Sequence, residues 1–447
     1  MEIEFVKVSI SGVRGIFDRD LSLQNILEFS RAFSKLIKKN TCVLARDTRA
    51  SSRIISETAC SALMEQGIGV HNLGIAPTPF VFREGRRYGG GLVVTASHNP
   101  LEWNGLKFIL DGRGIFEHEL QEIQKLLATK FETKSIAKEF NMTSKYIEEL
   151  CNLIGTIDGK PRIAVDTTGG AASGYAGTVL TKTGCDVRAI NDGYGKSSRS
   201  PDPTSDELAD LRNLVVSSKC DVGFAFDLDG DRLVVVDRNG QKLNPDTTVL
   251  ICIARSIEMG VKNIVISTDT SDAVKELASA NNCSVMYSKV GEANVINIML
   301  QNRIIAGGEG SSGGFIMSDF NMCRDGMLAS AMITSILKSK KFDECLHIAS
   351  KYHMIRSKVG ADSNLHNVIL DIIIDDLEHE CSSVDHLDGA KGIFDDNSWV
   401  LIRGSNTEHS MRVSVESKDE EKAKSLHKRY EQKIREVYEK AKRTPNN

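Results

Sequence analysis

The chain has 447 residues, 41% hydrophobic and 26% charged, with a formal net charge of -4, the composition of a globular protein long enough for about three domains, or four small ones. No basic tract stands outside a mixed-charge C-terminal segment, which argues against nucleic acid or an anionic membrane as partner, and no stretch approaches the roughly 18 apolar residues of a membrane span. Residues Met1–Lys7 lack the basic-then-apolar order of a signal peptide, and ten cysteines scattered from Cys42 to Cys381 without a C-x-x-C pair point to reduced thiols of a cytoplasmic protein.

Taken in order, Ser22 is placed to cap a helix whose apolar residues Ile26, Phe29, Phe33 and Leu36/Ile37 recur at helical spacing. Thr41–Ala45 reads as a strand, followed by the polar loop Arg46–Ser52 and a helix that stops at Gly67. Around residue 150 the pattern restarts with a strand at Pro161–Asp166, a helix ending near Gly184 and a strand at Asp221–Phe226. A third block opens near Pro245, with strands at Asn263–Ser267, Ser284–Ser288 and Arg303–Gly307. From about 355 the character changes: strands at Trp399–Ile402 and Met411–Glu416 precede a long helix near 418–442. Its stripe of Ala423, Leu426, Tyr430, Ile434 and Val437 is a core face. The expected domains are 1–150, 151–245, 246–355 and 356–447: three consecutive α/β units with mixed sheets, then a smaller α+β unit.

Four loops carry chemistry. In Gly91-Leu-Val-Val-Thr-Ala-Ser97-His98-Asn99-Pro100 an apolar strand delivers one hydroxyl, Ser97, into a polar loop, and Pro100 blocks helical continuation. Asp227-Leu-Asp229-Gly-Asp231-Arg232 lies between two apolar runs. Carboxylates at every second position with a glycine bend can converge on a hard cation, Mg²⁺ above all, and leave positions open for water or phosphate. A solvated acidic turn is the other reading, whereas an EF-hand fails because residue 238 is Arg. Gly307–Gly314 contains Glu309 and Ser311, able to meet sugar hydroxyls, although a glycine turn alone has the same composition. Arg403-Gly404-Ser405-Asn406-Thr407-Glu408, with Arg412, offers two guanidiniums, hydroxyls and an amide to a phosphate dianion, or else forms a surface salt-bridge loop.

In this order and over nearly the whole chain, these loops resemble the α-D-phosphohexomutase superfamily, the phosphoglucomutase/phosphomannomutase enzymes. The strings Ser11-Gly-Val-Arg14-Gly15, Arg46-Asp-Thr-Arg49, Gly74-Ile-Ala-Pro-Thr-Pro79, Asn104-Gly-Leu-Lys107, Lys289-Val-Gly-Glu292-Ala293 and Arg324-Asp-Gly326 add to the likeness. The resemblance implies a heart-shaped molecule around one central cleft, with Ser97 as the phosphoserine and Ser97, Asp227, Asp229 and Asp231 as the Mg²⁺ ligands. It implies catalytic roles for Ser97, Lys107, His98 and Arg14, Lys107 being the first candidate for proton transfer, which needs a lowered pKa. Arg232, Lys289, Glu292, Glu309, Ser311, Arg403, Ser405, Asn406, Thr407 and Arg412 would bind substrate. Many relatives carry a histidine where this chain has Gly313, leaving Glu292 or water as its replacement, or Lys107 acting alone.

The implied activity interconverts hexose 1-phosphate and hexose 6-phosphate, glucose or mannose, through a hexose 1,6-bisphosphate, with glucose 1,6-bisphosphate as activator. Phosphoglucosamine mutase is the alternative within the class, a non-catalytic sugar-phosphate binder the alternative outside it, and a simple phosphatase a third. The partner expected is the hexose phosphate, and the protein a monomer or homodimer.

Overall fold

The computed structural model describes residues 6–405 and 409–443. Among these the strands form four sheets that succeed one another along the chain. The first runs in the order Lys7–Ser9, Gly12–Ile16, Trp103–Leu110, Gly90–Val94, Thr41–Arg46, Gly69–Ile75 and Glu139–Asn141. Thr41–Arg46 is parallel to both its neighbours, whereas Trp103–Leu110 is antiparallel to both of its own. Ser22 caps the helix Leu23–Ser34 as expected: its hydroxyl accepts from the Asn25 N–H while the Asn25 side chain accepts from the Ser22 N–H. Gly90–Val94 is buried along its whole length, which is why its sequence is a continuous apolar run rather than an alternating one.

The second and third sheets share one plan. Asp186–Ile190, Arg162–Asp166 and Val222–Phe226 run parallel, and Leu233–Asp237 folds back antiparallel on the last of them. Likewise Ser284–Ser288, Asn263–Ser267 and Ala306–Glu309 run parallel, and Gly314–Met317 folds back. In each case the loop of the hairpin leaves the carboxyl end of a parallel strand. These two loops are the aspartate loop and the glycine-rich loop. The strand expected from Arg303 begins instead at Ala306, because Arg303 takes a left-handed conformation (φ 55°) that ends the helix Glu292–Asn302.

The fourth sheet is antiparallel throughout, in the order His353–Gly360, Ser410–Ser417, Trp399–Gly404, Ala390–Ile393 and Ser383–Asp385. Its first strand straddles the 355/356 division read from the sequence. Helices His366–Glu380 and Glu420–Arg443 pack on it, and all five stripe residues of the latter are buried. The architecture is thus three consecutive α/β domains with mixed sheets and a smaller C-terminal domain. One apolar cluster passes through the first three, joining Val43 and Val93 to Val165 and Phe224 and on to Val249 and Ile264. The fourth has its own core, built on Val400, Ile402, Val413, Ile373 and Ile434.

Candidate active site

Ser97 follows the buried strand Gly90–Val94 and is only 1% exposed. Its backbone is left-handed, with φ 51°, a conformation costing a non-glycine residue roughly 1–2 kcal/mol. The compensation is a buried frame. Ser97 N–H donates to Thr95 Oγ1 at 2.8 Å, and Thr95 Oγ1 donates to Asp47 Oδ2 at 2.7 Å. Arg49, paired to the same Asp47 at 2.9 Å, donates to the carbonyls of Ser97 (2.7 Å), Asn99 (2.8 Å) and Trp103 (3.0 Å), and to that of Pro100. One guanidinium therefore ties four carbonyls of a single loop.

The Ser97 hydroxyl donates to Asp227 Oδ2 at 2.8 Å. His98 places Nδ1 3.4 Å from that hydroxyl and Nε2 3.3 Å from Arg232 Nη2. A guanidinium N–H can only donate, so Nε2 accepts and Nδ1 carries the proton. His98 thus faces Ser97 as a donor. Burial, with Arg232, Arg14 and Arg324 nearby, holds its pKa well below the usual histidine range, in keeping with a neutral ring.

Asp227, Asp229 and Asp231 are buried, and one oxygen of each lies within 4.8 Å of the others. Burial and the charges of Asp231 and Asp229 push Asp227 well above the usual carboxylate range. For Asp231 burial also works upward, but Arg324, Lys107 and Arg232 hold it below that range. Asp229 Oδ1 and Asp231 Oδ1 are buried without a hydrogen-bond partner among the described residues. Orphaned anionic oxygens beside a third carboxylate and a hydroxyl fit a hard divalent cation. Thr78 braces this loop, its N–H donating to the Asp229 carbonyl at 2.9 Å and its hydroxyl to Asp229 Oδ2 at 2.6 Å.

Lys107 places Nζ 2.8 Å from both Asp229 Oδ2 and Asp231 Oδ2. Here the expectation of a lowered pKa is overturned. Burial works downward, but the two carboxylates outweigh it and raise the ammonium above the usual lysine value. Arg14, on the strand Gly12–Ile16, is pushed down to about 10 by burial against the pull of Asp229 and Asp231. Arg232 lies between His98 and Asp202, 3.6 Å from the latter.

Arg324 joins this cluster although the sequence offered it only as part of a short string. It reaches Asp231 Oδ2 and Glu309 Oε2 at 3.0 Å each and Glu292 Oε2 at 3.3 Å, and its own N–H donates to Glu292 at 2.8 Å. Burial raises the Glu292 pKa while Arg324 opposes the shift. Burial raises the Asp269 carboxyl, but Arg356 and Arg403, with the Ser267 and Ser311 hydroxyls on its side, hold it below the usual range. Arg403 and Arg412 are directly opposite across the fourth sheet, and Lys358 opposite Arg412 extends the row. Like charges directly opposite disfavour pairing, and Asp388, 3.8 Å from Arg403, offsets part of this row. The Ser405 N–H donates to the Ser410 carbonyl at 2.9 Å; Asn406 and Thr407 lie outside the described residues. Lys289 is exposed on the loop ahead of Glu292–Asn302. Arg49, Thr78 and Arg324 were the functional positions sequence reasoning left without a role. Their signal was a charge or hydroxyl within Arg46–Arg49, Gly74–Pro79 and Arg324–Gly326, visible as strings but not as contacts.

A hydroxyl beside a buried carboxylate triad, at the carboxyl ends of strands from two domains, suits phosphoryl transfer, and comparison with known proteins narrows the reading. Four domain descriptions of one family match in order: phosphoglucomutase/phosphomannomutase alpha/beta/alpha domain I at residues 6–134, domain II at 144–240, domain III at 244–352, and the C-terminal domain at 368–433. A phosphoglucomutase/phosphomannomutase of Thermococcus kodakarensis is 33% identical over 437 residues, covering 92% of this chain and 95% of the relative. A phosphoglucosamine/phosphogalactosamine mutase of Sulfurisphaera tokodaii is 29% identical over 440 residues, covering 93% and 96%. The crystal structure of a phosphoglucomutase/phosphomannomutase family protein from Burkholderia thailandensis superimposes with a TM-score of 0.82 at 22% identity, over 98% of this chain and 99% of that one. The chain belongs to the phosphoglucomutase/phosphomannomutase family of α-D-phosphohexomutases. It is an isomerase of the intramolecular phosphotransferase kind.

Proposed function

We propose that the chain interconverts the 1-phosphate and 6-phosphate of glucose or mannose through phospho-Ser97. The observation carrying this reading is the Ser97 hydroxyl 2.8 Å from Asp227, in a triad whose other two aspartates each keep a buried oxygen without partner. Phospho-Ser97 loses its phosphoryl group as the Oγ–P bond breaks and a bond forms to the free hydroxyl of the hexose 1-phosphate, whose proton leaves to a base. The bisphosphate then turns over in the cleft, and Ser97 Oγ takes back the other phosphoryl group. Glucose 1,6-bisphosphate primes a chain that lacks the phosphoryl group. Such transfer is mostly positioning and stabilisation of spread negative charge.

Asp227, Asp229 and Asp231, with an oxygen of Ser97 or its phosphate, would hold Mg²⁺. When bound, the ion supplies Lewis-acid polarisation of the phosphoryl oxygens. His98 donates toward the Ser97 oxygen and is held in that role by Arg232. Arg14, Lys107 and Arg232 offset charge as the phosphoryl group moves. Lys107 serves as a cation rather than a base, and the Glu292 carboxylate, whose pKa burial raises against Arg324, takes over as the proton acceptor. Glu309 and Ser311 read the sugar hydroxyls, with Lys289 and Glu292 at the edge of the cleft. Arg403, Ser405, Asn406, Thr407 and Arg412 hold the phosphate that is not reacting.

An amino-sugar substrate is the second reading, favoured by likeness to a relative named as a phosphoglucosamine/phosphogalactosamine mutase. Turnover of glucose, mannose and glucosamine 1-phosphates, with Mg²⁺ and a trace of the bisphosphate, decides between them. We expect glucose or mannose to rank first; a glucosamine preference of tenfold or more would replace that reading with the second.

A further inference from the structure

The histidine implied by resemblance at the glycine-rich loop has no room in this chain. Gly313 is left-handed (φ +62°), and a Cβ there would stand 2.1 Å from the Leu233 carbonyl oxygen. A Cβ on the neighbouring Gly314 would stand 2.2 Å from Arg324 Cδ, 2.6 Å from Arg324 Cγ and 2.8 Å from Ser312 Oγ. The Arg324 side chain thus passes over Gly314 to reach the end of the loop. There it touches Glu309 and Asp231 at 3.0 Å each, one on the third sheet and one on the second. Its backbone is anchored independently. Asp325 beside it accepts from Tyr146 Oη at 2.6 Å and Asn321 Nδ2 at 3.0 Å, and caps the helix Gly326–Ile336 through Leu328 N–H.

Glu309 is 4% exposed, and Arg324 is the ion-pair partner seen for it among the described residues. Without that fork a buried carboxylate would be unpaired and free to turn from the cleft. At the other end, the guanidinium adds a positive charge to Asp231 Oδ2, which Lys107 already contacts. A cation bonded to a carboxylate that also faces a metal position opposes the dication by Coulomb repulsion. The two ends therefore have effects of opposite sign.

We propose that Arg324 is a positioning residue that fixes the Glu309 carboxylate for the sugar by tethering it to Asp231, at the expense of divalent-cation affinity. The sugar half rests on the sugar-phosphate reading above; the cation half does not.

The test uses the full chain as wild type, Glu309→Gln, Arg324→Met, Arg324→Lys, Gly314→Ala and the Glu309→Gln/Arg324→Met double variant. Glucose 6-phosphate affinity is measured by calorimetry in Mg²⁺ buffer, and Mn²⁺ affinity by electron paramagnetic resonance without sugar. We expect each single loss to weaken glucose 6-phosphate about tenfold, and the double variant to be no weaker than the weaker single. Arg324→Met should bind Mn²⁺ several-fold more tightly, whereas Arg324→Lys, which keeps the charge but not the fork, should bind Mn²⁺ like wild type and sugar phosphate weakly. General damage to the site would lower both affinities together. Losses that multiply in the double variant, or Mn²⁺ affinity unchanged or weakened in folded Arg324→Met, would overturn the proposal. Should Arg324→Met fail to fold by thermal melting, Gly314→Ala and Arg324→Lys carry the test, and wild-type glucose 6-phosphate affinity in both overturns it. If wild type binds no hexose phosphate, the proposed function falls, and the Mn²⁺ comparison alone decides the role of Arg324.

Discussion

Arg49 shows how much of the Ser97 loop is held from elsewhere. The left-handed Ser97 is held by a guanidinium about fifty residues earlier in the chain, fully buried against Asp47. Arg49→Met leaves Asp47 as a buried, unpaired carboxylate and releases four carbonyls, and breaking such a pair costs about 3–5 kcal/mol. Chemical denaturation should show a loss of that size, with turnover reduced beyond the loss of folded protein. Stability unchanged within 1 kcal/mol would mean that the loop keeps its shape without the arginine. From the sequence, Ser97 was legible because an apolar run ends on it, and the aspartates because their alternation survives as a pattern. Arg49 was not, since a buried arginine in a loop reads as solvated until the strands Thr41–Arg46 and Gly90–Val94 are placed side by side. Lys107 was found and its ionisation misjudged, because the lowering by burial is visible in advance and the two carboxylates facing it are not.

At the scale of elements, local periodicity carried most of the outline. Asn263–Ser267 and Ser284–Ser288 are strands over the expected residues because their apolar runs are bounded by turns. Arg303 departs because helix termination by a left-handed non-glycine residue leaves no mark in hydropathy. Nor does the contact between domains show in any run of sequence. Glu416, on the strand Ser410–Ser417, accepts from Trp399 Nε1 at 3.1 Å and from the first N–H of the helix Asp272–Ala280 at 2.8 Å, across from the fourth domain to the third. Burial pushes its pKa from 4.5 up to about 7, with Asp246 and Asp272 adding to the rise against hydrogen bonds from Ser271 and Asp272. The folded chain therefore holds this proton more tightly than the unfolded chain. Its contribution to stability is complete below about pH 4.5 and is lost as pH rises to about 7, at most about 3 kcal/mol. Glu416→Gln should remove that slope from the pH dependence of melting between pH 5 and 7.5, where wild type loses stability relative to the variant. Parallel curves would place the titration elsewhere.

At the scale of the whole molecule, the apolar cluster that runs through three sheets and the separate core of the fourth divide the protein unevenly. Polar ties rather than a shared core cross that division: Arg356 to Asp246 at 2.7 Å, Lys391 to the Thr268 carbonyl at 2.7 Å, Val290 N–H to Asp388 at 2.9 Å and Lys418 to Glu276 at 3.1 Å, beside the Asp272–Glu416 bond. Calorimetry should resolve two transitions. Ile434→Ala, a cavity costing about 2–5 kcal/mol, should lower one of them and leave the larger in place. A single transition that moves as a whole would show that the fourth domain is energetically part of the rest. The proposed function makes Ser97 the residue that carries the phosphoryl group between sugar hydroxyls, and one measurement tests it directly. Chain freed of phosphate is incubated with Mg²⁺ and glucose 1,6-bisphosphate, quenched, and digested for peptide mass analysis, with Ser97→Ala in parallel. The account predicts one phosphoryl group on the peptide containing Ser97, its loss on adding glucose 1-phosphate, and an unlabelled, inactive Ser97→Ala chain. Turnover in Ser97→Ala, or a phosphoryl group carried on another residue, would contradict it.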